Sequence, residues 1–336
     1  MVFAEPTLEG WHRLYEAAIA FRDLAPWRWM ADDQLFAVQD PQTGEIGYCC
    51  VLGALGEVFG LQVYPGPEGY RCYRKFQSGE MNVSDLDLSL YLKCLNAEFE
   101  DRKALDPMDR KIIRALGLKF RGRHAWPCFR SYRPLHYPWY LEAQEASFLT
   151  HALEQALEVC PRVKEDPEVL NAADERNILT RVRSESGKGW EDAWTPRPSE
   201  AEEPRPIPPA DPAVLEELRR MPGVRSTTWE ADFYPVPTWI ASPTGGPPYN
   251  PIVYMLADHT SGLILAADIE APKELPRFLR DRLLFWIRVQ KRLPREILVR
   301  RPSSFSALEP VAAALGIELQ LRPRLQAIEP AVQSLA

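Results

Sequence analysis

Beyond Cys160 the chain has no cysteine, and its six cysteines (Cys49, Cys50, Cys72, Cys94, Cys128, Cys160) form no C-x-x-C pair. Adjacent Cys49 and Cys50 must face opposite sides of any strand they share. A disulfide framework or thiolate metal centre is therefore not expected, and the sulfurs read as reduced, partly buried thiols. Histidine is scarce as well. His12, His124, His136, His151 and His259 show neither H-x-x-x-H nor H-E-x-x-H spacing, so no metal is expected. There is no G-x-S-x-G to mark a nucleophile elbow, and no local cue pairs a Cys with a His. Gly53, Gly56 and Gly60 lack the Lys-Ser/Thr of a phosphate loop and the Rossmann spacing, and read as a strand-to-helix turn. No cofactor is implied. No apolar run is long enough to span a bilayer, and Glu5 and Glu9 stand where a signal peptide carries bases. A cytoplasmic protein without a membrane partner is expected.

One further absence has more content. From Arg110 to Leu141 there is no Asp or Glu, against eight Lys or Arg. Residues 273–301 hold ten bases and three acids. These stretches of +8 and +7 sit in a chain of net charge −7, which leaves −22 for the remainder. Such a protein does not attract a polyanion in bulk, but local patches act within a Debye length. In the first stretch Lys119, Arg121, Arg123, Arg130 and Arg133 are candidates for phosphate contacts, with Trp126 and Tyr132 among the rings available for stacking. The alternative is that these rings form core, with arginines on its rim or paired to acidic neighbours. In the second stretch, Arg280 and Arg288 lie off the apolar stripe of a helix and are further candidates, or simply a solvated face.

At 336 residues the chain has room for two domains. A helix is expected over Leu8–Leu24 with Thr7 as N-cap, then a hairpin turning at Asp40–Gly44, and a strand at Leu61–Tyr64 closed by Pro65-Gly66-Pro67. Tyr91–Phe99 reads as a strand, Asp106–Gly117 as a capped helix, and Leu141–Val159 as a longer helix. Arg110, Lys111 and Arg114 fall on the solvent side of the capped helix. Glu98 and Glu100 share a strand face, either as an acid pair or as a solvated edge matched to Arg102 and Lys103. From Gly187 to Pro212 seven prolines mix with charge, which predicts an extended linker between domains 1–186 and 213–336. That linker is also a candidate protein ligand. The second domain reads as strands, then alternating helix and strand: a mixed sheet covered by helices, in an α+β chain.

The strings LAPWRWM, FAVQDPQTGEIGYCCVLGALGEVFGLQVYPGPEG, LKFRGRHAWPCFRSYRPLHYPW and WEADFYPVP…PYNPIVYMLADHTSGLIL resemble those of a bacterial family of two-domain proteins with no assigned activity. The element order of residues 229–336 resembles the ribonuclease H-like fold of integrases and transposases. That resemblance implies a first catalytic Asp at Asp232, in Trp229-Glu230-Ala231-Asp232. It implies a second Asp where this chain has Arg300 and Arg301, and a Glu for which Glu329 is the nearby candidate. Arginine repels the metal ions such a site holds. The expectation is a non-catalytic binding or accessory protein with a nucleic acid or other polyanion as partner. The alternative is a Mg²⁺-dependent phosphodiester hydrolase using Asp232 with Asp258 or Glu329.

Overall fold

The computed structural model describes residues 4–81, 87–184, 186–187, 189–200, 207–221, 226–243, 245–272 and 275–334. The chain folds as two compact units, Met1–Glu202 and Glu203–Ala336, each a mixed sheet covered by helices.

The first unit opens with α1 (Leu8–Leu24), whose first turn is capped by Thr7 Oγ1 accepting from the Gly10 N–H at 3.0 Å. Strands β1 (Phe36–Gln39) and β2 (Ile46–Leu52) form the expected hairpin. The Asp40 carboxylate accepts from Gln42 N–H and the Thr43 hydroxyl, and Gly44 supplies the left-handed residue at φ 76°. Then follow β3 (Gly60–Pro65), α2 (Gly66–Gln77), α3 (Leu88–Tyr91), β4 (Cys94–Glu100), α4 (Pro107–Ala115), β5 (Trp126–Tyr132), α5 (Ala143–Glu165), β6 (Asn177–Arg183) and β7 (Trp190–Pro196). The sheet order is β5-β4-β3-β2-β1-β6-β7. Among the described residues of this sheet only the β1–β6 pair is parallel, because α5 carries the chain back over the sheet before β6 enters.

Side-chain alternation splits the sheet into two cores. Leu61, Val63, Leu95, Ala97 and Phe99 meet Leu14, Phe21, Leu149 and Leu153 of α1 and α5. Tyr48, Cys50, Tyr64 and Cys94 meet Tyr70, Cys72 and Tyr73 of α2 on the opposite face. Cys49 and Cys50 accordingly fall in different cores. All six thiols are free and buried, and burial pushes each of them up, Cys128 and Cys160 to about 12. Titration of the native protein with a thiol reagent at pH 8 should modify essentially none of the six until denaturant is added. A fast-reacting thiol in the native state would contradict this. Because folding holds these protons, its contribution is complete below the pKa of an exposed thiol, about 8.5, and is lost as the pH rises above it.

Pro65 ends β3 as expected, and Gly66-Pro67 goes on to start α2, since Pro67 occupies a first turn that needs no N–H. Two local expectations give way to longer-range packing. The Gly53–Gly60 segment joins strand to strand rather than strand to helix, and at Gly60 a Cβ would collide with the Ala97 carbonyl of β4. Trp190–Pro196, expected as the start of the linker, is instead the edge strand β7 paired antiparallel to β6. An edge tolerates its charges and its terminal Pro196. Residues 188 and 201–206 of the expected linker lie outside the described residues.

The second unit comprises α6 (Pro212–Arg219), β8 (Thr228–Pro235), β9 (Ile252–Asp258), β10 (Ile264–Glu270), α7 (Leu275–Gln290), β11 (Glu296–Val299), α8 (Pro302–Leu315), β12 (Glu318–Leu321) and α9 (Ile328–Gln333). The sheet runs β10-β9-β8-β11-β12, with β8 antiparallel to β9 and parallel to β11. A three-stranded meander followed by helix, strand, helix, strand and helix is the element order that the resemblance implied. Trp229, Tyr254, Leu256, Leu279, Leu283 and Leu308 are among its most buried side chains.

Candidate nucleic-acid interface

The acid-free stretch is acid-free only along the chain. In space it meets carboxylates from both sides. The first turn of α4 is fixed by Asp109, whose Oδ2 accepts from Asp106 N–H at 2.9 Å. Arg130 on β5 reaches across to both acids, with Nη2 at 2.8 Å from Asp106 and from Asp109 and Nη1 at 2.9 Å from Asp109 Oδ1. Its guanidinium also lies 5.1 Å over the Tyr140 ring. Arg133 does the same for α5, binding Glu142 at 2.8 Å and Glu145 at 2.9 Å. These two arginines neutralise helix-start carboxylates and are committed to the fold. Tyr132 is half-buried against the α2-side core, and its phenol is pushed up by burial first and by Glu98 next. Trp126 packs on the α1–α5 core, edge-on to Phe120 at 5.6 Å, under the Arg102 guanidinium.

The loop joining α4 to β5 is different. Lys119, Arg121 and Arg123 are exposed and form no ion pair among the described residues. They surround a surface hollow of about 520 Å³ that Arg22, Phe120 and His124 also line. Arg22, at the end of α1, donates from Nη1 to the Ala125 carbonyl at 2.9 Å and from Nε and Nη2 to Asp23. Its guanidinium sits 5.8 Å from the Phe120 centroid. Composition along 110–141 does not reveal Arg22 or Arg102, because they arrive from elsewhere in the chain.

The basic helix of the second unit offers no comparable surface at the residues expected. Arg288 is held bidentate by Glu217 of α6 at 2.8 and 2.6 Å. Arg280 is buried, bonded to Asp281 and to the Pro208 carbonyl.

The candidate catalytic carboxylates are likewise engaged separately. Asp232 is fully buried on β8 and binds Arg300 Nε at 3.3 Å and Arg301 Nη1 at 2.5 Å. Asp232 pairs with Met255 and Trp229 with Asp258, so Asp232 and Asp258 lie on opposite faces of the sheet. Asp258 is spent on its own turn, where the Ser261 backbone N–H lowers its pKa. Glu329 accepts from Arg324 and from Leu325 N–H, which together outweigh its burial and keep its pKa low. Glu230, which the sequence did not single out, is fully buried; it accepts from Ala327 N–H and Ile328 N–H at the start of α9, and from His259 in the turn after β9. Among the described residues no three Asp, Glu, His or Cys side chains are grouped to hold a metal. Glu98 and Glu100 are not at an edge, since β4 lies between β3 and β5. Burial raises the Glu98 pKa, against the hydrogen bond from Asn96, and Glu100 adds to the rise.

No helix among the described residues is long and apolar enough to cross a membrane. Among solved structures, the chain is similar to the catalytic core domain of BIV integrase, at 18% identity and TM-score 0.22, over 33% of this chain and 64% of that one. It thus spans less than two thirds of that core. It is also similar to a pre-cleavage Mos1 transpososome, at 10% identity and TM-score 0.22, over 79% of this chain and 72% of that one. A search of curated proteins returned no match. Residues 214–336 match the model described as domain of unknown function DUF6930. Residues 11–181, half of the chain and the part that holds the basic hollow, match the domain of unknown function DUF7309, and to that family the chain belongs.

Proposed function

We propose that the protein is a non-catalytic nucleic-acid-binding or accessory protein whose first unit grips the phosphate backbone through Lys119, Arg121 and Arg123. One observation carries this reading: these three cations are exposed and uncommitted, while Arg130, Arg133, Arg280 and Arg288 are each neutralised within the fold. Three charges on one loop in an otherwise acidic chain form a local electropositive site. A non-catalytic role is supported by Asp232, which two arginines hold where a metal-binding carboxylate has to stand open. A cytoplasmic site of action goes with six free thiols.

The test is a salt-titrated binding measurement on labelled DNA and RNA oligonucleotides with the full chain and a K119E/R121E/R123E variant. Three phosphate contacts correspond to a log–log salt slope of roughly −2 on a single strand, or about 20-fold weaker binding from 50 to 200 mM salt. The variant should lose that slope and most of the affinity. Absence of binding at low salt, or an unchanged variant, overturns the proposal.

A further inference from the structure

The basic hollow has a shape that bears on which nucleic acid it takes. A protein that reads a duplex inserts a protruding helix or ribbon into a groove. Here the cations line an open depression of about 520 Å³ on the surface.

Two of the groups lining it are planar and held in place. The Arg22 guanidinium is pinned by its bonds to Ala125 and Asp23 and lies over Phe120, so its plane is set before any ligand arrives. His124 is one of four non-glycine residues with positive φ among the described residues, at 49°. Its backbone N–H donates to Asp101 Oδ1 at 3.0 Å, and its ring stands edge-on to Phe59 at 5.1 Å. Non-glycine residues seldom enter the left-handed region, His being among the types that do, and the Asp101 bond holds the backbone there. Fixed guanidinium and imidazole planes are surfaces on which an unpaired base stacks, while a cationic rim holds the flanking phosphates.

Resting on the backbone-binding reading above, we propose that the hollow receives one unstacked base of a single-stranded nucleic acid. Arg22 and His124 provide the stacking planes, and Lys119, Arg121 and Arg123 hold the phosphates on either side. A base paired within a duplex cannot enter without being flipped out of its stack, which disfavours the duplex.

Three oligonucleotides of equal length, compared on the full chain at one low salt concentration, test this: a single strand, the same strand with abasic sites throughout, and the duplex. The abasic strand keeps every phosphate and loses every base. The single strand should bind about 10-fold or more tighter than the abasic one, the scale of a single stacking contact, and tighter than the duplex. Arg22→Lys, which keeps the charge and removes the plane, should shrink the gap between base-bearing and abasic strands while leaving the salt slope as it was. Equal affinity for abasic and normal strands, or a duplex bound as tightly, overturns the base pocket and leaves the backbone-binding reading standing. No binding of any oligonucleotide removes both.

Discussion

Asp232→Ala is expected to destabilise the second unit by about 3–5 kcal/mol, the usual cost of removing one partner from a buried ion pair. The carboxylate has no exposed surface, and the Arg301 side chain it binds is only 6% exposed. Both arginines also lie over rings of the strand that carries the aspartate, Arg300 4.9 Å from the Tyr234 centroid and Arg301 4.5 Å from that of Phe233. Deleting the carboxylate strips one counter-charge from a guanidinium that packing keeps away from water. A metal ligand in an open site behaves in the opposite way, because removing it relieves repulsion among carboxylates. The measurement is peptide-resolved hydrogen exchange, since two units make a single unfolding midpoint ambiguous. Protection in β8 and β11 should fall by two orders of magnitude or more, with the first unit unchanged. An Asp232→Leu, Arg301→Met double variant should recover much of the loss, because an apolar pair of similar volume replaces the ion pair at little net cost. Protection unchanged in Asp232→Ala, or a stabilised β8, would contradict the structural role.

Elements whose cause is local were legible in the sequence. Thr7 caps α1 over the expected bounds, Asp40 and Gly44 make the β1–β2 turn, and Asp106-Pro107 with Asp109 starts α4. Each depends on residues a few positions apart, whose chemistry acts before any tertiary structure exists. The elements that were missed are held by distant partners. The β7 strand has little apolar content and stands because β6 is already beside it, and β5 is hidden in a run that reads as basic and aromatic. The candidate site follows the same division. Exposure of Lys119, Arg121 and Arg123 agrees with their loop chemistry, but the fate of Arg130 depends on acids 21 and 24 residues away. The resemblance in the second unit located Asp232 on its strand, yet its arginine partners are 68 and 69 residues on. Charge counted along a chain therefore overstates a patch wherever strands bring helix-cap acids alongside it.

Arg130→Ala separates these two kinds of arginine. The substitution leaves Asp109, 5% exposed, facing Asp106 across the first turn of α4 without the cation that holds both. A loss of about 3 kcal/mol from the first unit is expected, since the uncompensated charge is nearly buried. Lysine should restore little of it, because the guanidinium uses two nitrogens on Asp109 and one of them again on Asp106, a fork that an ammonium lacks. The folded variant should nevertheless bind oligonucleotide with the same salt slope as the wild type, since Arg130 contributes no uncommitted charge. Arg121→Ala should show the reverse: stability within about 0.5 kcal/mol of wild type, as for most exposed substitutions, and a salt slope smaller by about 0.7 on a single strand. Peptide-resolved hydrogen exchange in the first unit and salt titrations on the two variants give a crossed pattern if the assignment is right. If Arg130→Ala instead weakens binding while leaving protection of α4 and β5 unchanged, Arg130 belongs to the interface and its ion pairs with α4 are incidental.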